Sequence, residues 1–241
     1  MDWQLQIKMN EKLYLRDPEQ SEVGRKILKH GALMIQKMGL EEFTFKKLAR
    51  EINTNESSVY RYFENKHRLL TYLLSWYWRW MEYQVIFHTK NIDNVFKKIE
   101  IIIDILLLNI DTDIQIGLDL DKEVLHDIVI KEASKSYLTH HVTEDNKQQF
   151  FKPYKELCAR IAKVMLEVNP NYPYPRSLTS TIIEMSHFQH FFMHFLPSLT
   201  DFAQTRNKQV LHQFLKHLII ASLTYEKKDL LPVILHNLDG K

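Results

Sequence analysis

The apolar residues of segment 43–70 recur every three or four positions, which is the spacing of an amphipathic helix. The first predicted helix has its apolar side at Phe45, Leu48, Ala49 and Ile52. Thr44 precedes it as an N-cap, because its hydroxyl can accept a hydrogen bond from a backbone N–H of the first turn. Asn53 follows, and Asn tolerates the left-handed backbone that ends a helix. The pattern therefore predicts a short helix followed by a tight turn.

A second short helix is predicted over Glu56–Tyr62, with Asn55 as its N-cap. Val59 and Phe63 lie one turn apart and are expected to face inward. The positions expected to face outward are polar or bulky: Glu56, Ser57, Ser58, Tyr60, Arg61 and Tyr62. Such a surface is unusual for packing and typical of contact with bases and phosphates. Two short helices around a three-residue turn thus predict a helix-turn-helix that contacts DNA.

The rest of the chain is also helical in pattern, with no useful run of strand-like alternation and only 5 Gly and 7 Pro in 241 residues. We predict an all-α fold. A first helix is expected over Glu19–Met38, and a long helix is expected from Lys66 to about His88. Further helices are predicted at Asp93–Asn109, Asp119–Leu138, Glu144–Val168, Arg176–Leu196 and Asp201–Tyr225, with a terminal turn near Leu230–Leu238. Segment 169–175 carries three prolines and cannot continue a helix, so we predict a connection there, with a docking peptide as the less favoured alternative.

The helix-turn-helix segment resembles that of the tetracycline-repressor-like (TetR/AcrR) family of transcriptional regulators. The shared features are a Leu-Ala pair in the first helix, a Tyr-x-x-Phe motif and a Lys ahead of a Leu pair: Leu48-Ala49, Tyr60 to Phe63, Lys66 and Leu69-Leu70. The resemblance covers roughly residues 22–70, with Gly39 at the end of the first helix. Asn53, Thr54 and Ser57 depart from the usual Gly, Val and Gly.

The resemblance implies three regions: an N-terminal arm at 1–18, a three-helix DNA-binding domain at 19–68, and a larger helical domain at 69–241 for ligand binding and dimerisation. We expect the arm to be only partly ordered. The resemblance also implies the DNA contacts Thr44, Lys46, Ser57, Ser58, Tyr60, Tyr62 and Lys66. Ser58 and Tyr62 are expected at base edges, and Lys66 at the phosphate backbone. Glu56 either accepts from a cytosine amino group or stabilises its own helix N-terminus, and we favour the second role.

An aromatic stripe follows the long fourth helix, and it is either core or the wall of a ligand cavity. The resemblance implies an inducer pocket beside this helix. Its predicted lining is Trp76, Trp80, Tyr83, Phe87, Phe96, Ile103, Phe150, Tyr154 and Met185. A cavity with such walls would take a small apolar or aromatic ligand.

Three histidines, His187, His190 and His194, share one face of a predicted helix. A metal site there is the weaker hypothesis, because three histidines on one helix seldom converge on one ion. The resemblance instead implies that the last two long helices form a dimer interface. The apolar residues available for it are Phe188, Phe191, Phe192, Phe195, Val210, Phe214 and Leu218.

Charge and composition narrow the classes of protein to which this chain could belong. Residues 1–68 carry a net charge of +3, so the small basic excess lies with the motif, although the whole chain is only +2. A single cysteine excludes an internal disulfide, and the longest apolar stretch is too short to span a bilayer, so we expect a cytoplasmic protein. The acidic segment 111–123 does not fit a calcium loop, because Ile116 stands at the sixth position, where a Gly is needed, and Lys122 at the twelfth, where a Glu is needed. No catalytic motif or cofactor-binding loop is evident, which indicates that the chain is not an enzyme.

The sequence therefore predicts a homodimeric repressor that binds a near-palindromic operator in double-stranded DNA and is released by a small ligand, without cofactor, metal or membrane association. The alternative is a helical metal-dependent enzyme or protein-binding adaptor with a vestigial DNA-binding domain.

Overall fold

The computed structural model describes residues 7–110 and 120–225, and in these ranges the protein is helical, without a β-strand. The predicted all-α class is confirmed. In chain order the α-helices are α1 (Glu22–Glu42), α2 (Phe45–Glu51), α3 (Glu56–Tyr60), α4 (Lys66–Thr89), α5 (Val95–Leu106), α6 (Lys122–Glu132), α7 (Ser134–Tyr137), α8 (Val142–Lys147), α9 (Lys152–Val168), α10 (Pro175–Phe195) and α11 (Lys208–Thr224).

The described residues divide into two compact units. Unit 1 comprises residues 7–83 and 120–157, and unit 2 comprises residues 84–110 and 158–225. The functional limits at residues 18 and 68 stay a prediction. The predicted terminal turn near Leu230–Leu238 and most of the acidic segment 111–123 lie outside the described residues.

Helix α1 begins at a serine cap and bends at a glycine. The Ser21 hydroxyl accepts from the Gly24 N–H at 3.0 Å. Gly39 has φ of +77°, a left-handed value that suits glycine, and the helical turn resumes beyond it to Glu42. The buried face of α1 packs against α2 and α6 and includes Ile27, Leu28 and Ile35. This helix is the base on which the helix-turn-helix is built.

Helix α4 supplies a continuous buried segment to the core of unit 1. Residues 69–78 of this helix are buried without interruption, aromatic and polar positions alike. The hydroxyl of Tyr77 lies 2.7 Å from Nδ1 of His126, which satisfies both groups in the core. On α1, Gln36 donates to the Asp127 carboxylate at 3.0 Å. Within unit 1, α6 is thus tied to both α1 and α4.

The described part of the N-terminal arm, residues 7–18, packs on unit 1, because its apolar residues reach the core. Ile7, Met9 and Leu13 are buried, and Glu11–Leu13 forms a single 3-10 turn. Asn10 anchors the arm by donating from its side chain to the Gln148 carbonyl at 2.8 Å. The described part of the arm is thus packed on unit 1, and the expectation of partial order for the arm as a whole stays a prediction.

In unit 2, α11 packs against α5 and α10. Lys216 on α11 forms an ion pair with Glu100 on α5 at 2.6 Å, and the Lys208 ammonium donates to the Leu107 carbonyl at 3.0 Å. The buried side-chain amide of Asn169 donates to the carbonyl of Leu223. Polar contacts at both ends of α11 thus supplement its apolar packing.

Several helix limits differ from the prediction. The helix expected over Glu144–Val168 is split in two at Gln149, whose φ of +64° cannot continue a right-handed helix. The last helix begins at Lys208 rather than Asp201, and the Asn207 side chain caps it. The helix expected over Asp119–Leu138 is likewise two helices, α6 and α7.

Candidate nucleic-acid interface

The turn between α2 and α3 has the capping geometry that the sequence predicts. The Thr44 hydroxyl accepts from the Lys47 N–H at 3.2 Å, and the Asn55 side chain accepts from the Ser58 N–H at 2.8 Å. Asn53 has φ of +53°, the left-handed value expected at the end of α2. The backbone N–H of Thr54 closes the turn on the Ala49 carbonyl at 2.8 Å. The predicted N-caps and the predicted left-handed residue are confirmed.

Helix α3 presents a polar surface, although it is only five residues long. Ser57 and Tyr60 are exposed and Ser58 is half-buried. The Tyr60 ring meets the buried Phe45 ring edge-on, with centroids 5.0 Å apart, and still exposes 47% of its surface. The contact with Phe45 therefore fixes the Tyr60 ring and leaves its hydroxyl end free.

Both serine hydroxyls on α3 donate to the same amide oxygen. The distances to Asn55 Oδ1 are 2.7 Å from Ser57 and 2.8 Å from Ser58. A hydroxyl has one donor and two acceptor lone pairs, so each serine in this arrangement still offers an acceptor. In the major groove, the donors that an acceptor can meet are the amino groups of cytosine and adenine.

The outward orientation predicted for Tyr62 is wrong. This tyrosine is 4% exposed, and its hydroxyl lies 2.8 Å from the Ser21 hydroxyl. Helix α3 ends at Tyr60, so the helical spacing that would have turned Tyr62 outward no longer applies. Its carbonyl accepts from the Leu15 N–H at 2.8 Å, and the Arg16 guanidinium lies over its ring. Tyr62 is the point at which the N-terminal arm meets the end of α3.

Lys66 is held at the end of α1. Its ammonium donates to the carbonyls of Leu40, Glu41 and Phe43 at 2.8, 3.0 and 3.3 Å. Carbonyls at a helix C-terminus lack intrahelical donors and attract a cation. All three ammonium hydrogens thus have an acceptor, and a phosphate would have to compete with these carbonyls for them.

Cations remain exposed around the helix-turn-helix. Lys46, in the first turn of α2, is exposed, as are Arg50 near its end and Arg61 just after α3. The sequence does not identify Arg50 as a candidate contact, because its helical spacing does not separate a solvated cation from a phosphate contact. Thr44 is exposed as well. Lys46, Arg50 and Arg61 are therefore accessible to a phosphate.

The residues predicted for a ligand pocket lie in both units. Trp76, Trp80, Ile103 and Phe150 are buried, whereas Tyr83, Phe96, Tyr154 and Met185 are half-buried. Phe87 is exposed over 55% of its surface. The Tyr154 ring lies against the Trp78 ring at 4.5 Å, and Phe150 lines a cavity of unit 1. The predicted pocket stays a prediction.

The residues predicted for dimerisation form an apolar surface on unit 2. Phe188, Phe195 and Val210 are exposed over 52%, 55% and 42% of their surfaces, and the others are half-buried: Phe191, Phe192, Phe214 and Leu218. Ring pairs along α10 are in contact, Phe188 with Phe192 and Phe191 with Phe195.

The three histidines of α10 have different environments. His187 is buried, and loss of water, with a further contribution from His190, lowers its pKa to about 3. His190 and His194 are stacked with ring centroids 4.7 Å apart. Within residues 7–110 and 120–225, no three His, Cys, Asp or Glu side chains group in a way that could hold a metal ion.

In the same ranges, no helix has the length and apolar character needed to cross a membrane.

Comparisons with known proteins agree with this geometry. Residues 27–73 match the model of the bacterial regulatory proteins of the tetR family. The fold is similar to that of the fatty acid degradation regulator FadR from Bacillus halodurans, with a TM-score of 0.55 and 14% identity over 80% of this chain and 92% of that one. It is also similar to a TetR-family transcriptional regulator from Bordetella parapertussis 12822, with a TM-score of 0.54 and 16% identity over 83% and 95% of the two chains. No curated protein matches the sequence.

Proposed function

Given that this chain has the helix-turn-helix domain and the fold of tetR-family transcriptional regulators, we propose that it is a repressor that binds a near-palindromic operator as a homodimer and leaves it when a small ligand binds. The observation that carries the proposal is the polar surface of α3, with Ser57, Ser58 and Tyr60 presented on a buried base. Two copies related by a two-fold axis would contact two half-sites about 34 to 36 Å apart, or a multiple of that spacing.

We assign each proposed DNA contact to a base edge or to the phosphate backbone according to the chemistry of its side chain. Ser57 and Ser58 offer acceptors to base edges, and Tyr60 offers its exposed hydroxyl to a phosphate or a base. Thr44 and the exposed cation Lys46 are proposed at the phosphate backbone. Lys66 acts on DNA only indirectly in this proposal, by fixing the end of α1 next to α2.

Dimerisation is proposed through α10 and α11. Soluble proteins rarely leave a contiguous apolar patch uncovered unless it binds a partner. We propose that the exposed Phe188 and Phe195 of α10 and the exposed Val210 of α11 belong to such a patch. A second copy of the chain would cover this patch and would also supply a second α3 for the other half-site.

Ligand binding is proposed beside the buried aromatic residues of α4. The indole N–H of Trp80 is buried and has no hydrogen-bond acceptor among the described residues. A buried donor without an acceptor costs about 1–3 kcal/mol, and an acceptor on a ligand would remove that cost. Quenching of tryptophan fluorescence by a panel of apolar and aromatic compounds tests this, and the quenching should shrink in Trp80→Phe. A panel that leaves the fluorescence unchanged would remove the support for this pocket.

The experiment that tests the function is selection of binding sites from random DNA by the purified protein at low ionic strength. The proposal expects enrichment of inverted repeats whose half-sites are one or more helical turns apart. Enrichment of no sequence would favour a protein-binding adaptor with a vestigial DNA-binding domain. A regulator of this kind acts in the cytoplasm and needs no catalytic activity.

A further inference from the structure

Unit 1 contains a cavity of about 310 Å³ at the N-terminal arm. It is lined by Lys8, Met9, Asn10, Leu13, Ser75, Arg79, Gln149, Phe150, Lys152 and Pro153. The lining comes from the arm, from α4 and from the chain around the start of α9. Sites for small ligands begin at about this volume, so the cavity suits a small molecule. Apart from Phe150, its lining differs from the pocket that the sequence predicts.

The lining combines buried apolar residues with basic residues. Met9, Leu13 and Phe150 are buried and supply apolar surface. The charged groups of the lining are all basic: Lys8, Arg79 and Lys152. Both ion pairs of Arg79, with Glu82 at 2.8 Å and with Glu156 at 2.6 Å, use Nη1. The N–H groups on Nη2 and Nε therefore remain for an anion. Lys152 forms a longer ion pair with Glu156, at 3.8 Å.

The cavity walls are held by specific hydrogen bonds. The Ser75 hydroxyl on α4 donates to the Phe150 carbonyl at 3.0 Å, and the Arg68 guanidinium lies 4.5 Å from the centre of the Phe150 ring. On the arm, the Lys12 ammonium donates to the Gln148 side chain at 2.6 Å. These contacts fix the arm against the chain that leads into α9.

The same arm reaches the end of α3. The Leu15 N–H donates to the Tyr62 carbonyl. The Arg16 guanidinium lies 5.4 Å from the centre of the Tyr62 ring. The hydroxyls of Ser21 and Tyr62 then meet at 2.8 Å. One short segment thus lines the cavity and also fixes the residue at which the chain leaves α3.

We propose that this cavity binds a small organic anion with an apolar body, and that its occupancy changes DNA affinity through the arm. In this proposal the basic residues of the lining bind the anionic group, and its apolar residues contact the body of the ligand. The coupling, unlike the binding, rests on the proposed function. A ligand can shift DNA affinity only if it binds the two states of the arm differently.

Isothermal titration calorimetry tests the binding with a matched pair of probes, 4-phenylbutyrate and 4-phenylbutan-1-ol. They share an apolar body, and only the first carries a charge. We expect the wild-type protein to bind the carboxylate more tightly, and we expect the double variant Lys8→Met/Lys152→Met to lose about tenfold in that affinity. The affinity for the alcohol should be unchanged.

The control is Lys37→Met/Lys90→Met, which removes two exposed lysines outside the cavity lining. It should bind the carboxylate like the wild-type protein. Carboxylate affinity that is undetectable in the wild type, or equal in both double variants, would overturn the site. Because Lys8 and Lys152 are exposed, the thermal unfolding of their variant should match that of the wild type, which separates lost binding from lost folding.

The coupling is tested with DNA obtained by binding-site selection. Saturating 4-phenylbutyrate should change the DNA affinity of the wild-type protein and should have a smaller effect on Lys8→Met/Lys152→Met. Binding heat without any change in DNA affinity would overturn the coupling and leave the site in place. A protein that selects no DNA but still binds the carboxylate would contradict the proposed function alone.

Discussion

At the scale of single residues, side chains next to one another on the candidate DNA surface have different roles. Ser58 is accessible on α3, whereas Tyr62, four positions later, is buried against the arm. Lys46 is exposed to solvent, whereas Lys66 is bound to three carbonyls. The sequence pattern alone treats all four as DNA contacts, because each is polar and lies in the motif. Accessibility and existing partners separate them into groups that can contact DNA and groups that support the fold.

Lys66→Ala should destabilise the protein, because three carbonyls at the end of α1 lose their common donor. We expect a loss of about 1–2 kcal/mol in the free energy of unfolding, measured by urea denaturation. Lys46→Ala is the matched control, since its side chain is exposed, and it should weaken DNA binding while leaving stability within about 0.5 kcal/mol. Equal stability of the two variants would show that the carbonyl contacts of Lys66 contribute nothing.

Ser58→Ala and Tyr62→Phe should differ in their effect on base preference. The first removes an acceptor from the exposed side of α3, and the second removes only the hydroxyl that meets Ser21. Binding-site selection should therefore give an altered half-site for Ser58→Ala and the wild-type half-site for Tyr62→Phe. A changed base preference in Tyr62→Phe would place its hydroxyl in contact with DNA, against its burial.

At the scale of elements, the local sequence predicts the residues that cap the helices but does not predict the lengths of the helices. Thr44, Asn53 and Asn55 act on backbone groups within three residues of themselves, so the sequence predicts them directly. The early end of α3 and the order of the arm depend on contacts between distant segments, such as that of Leu15 with Tyr62. No local spacing encodes these contacts. The sequence does not predict the split of α8 from α9 at Gln149, because a left-handed glutamine has no sequence signature.

The turn between α2 and α3 makes a further prediction at this scale. Asn53→Ala should lower the free energy of unfolding by about 1 kcal/mol, because alanine is disfavoured at a φ of +53°. Asn53→Gly should be close to neutral, because glycine adopts this conformation without steric cost. Chemical denaturation of the three proteins provides the comparison. An alanine variant as stable as the glycine variant would argue against a left-handed residue in the turn.

At the scale of the whole molecule, the helix-turn-helix and the fold class were predictable, and the function of the cavities was not. The motif lies within 43–70, where its residues are close in sequence. The predicted ligand pocket and the cavity at the arm depend instead on residues that are far apart in sequence, such as Met9 and Phe150. Apolar spacing identifies such residues as buried and does not distinguish a filled core from a cavity wall.

The proposed dimer gives a prediction for the assembled protein. Phe188→Glu/Phe195→Glu places two charges on the exposed apolar surface of α10, and burying them against a second copy would be unfavourable. Light scattering after size exclusion should show a dimer for the wild-type protein and a monomer for the variant. The control is Leu33→Glu, an exposed apolar residue of α1, which should remain dimeric. A variant that is still dimeric would place the interface elsewhere.

The central claim is that the exposed side of α3 reads DNA. It is tested by the ratio of affinities for a selected site and a scrambled duplex of the same length, measured by fluorescence anisotropy at fixed salt. For the wild-type protein we expect a ratio of about 1,000 or more, the lower limit of specific recognition. For Ser57→Ala/Ser58→Ala/Tyr60→Ala, folded by circular dichroism, we expect the ratio to fall close to one. A triple variant that keeps the wild-type ratio would contradict the account.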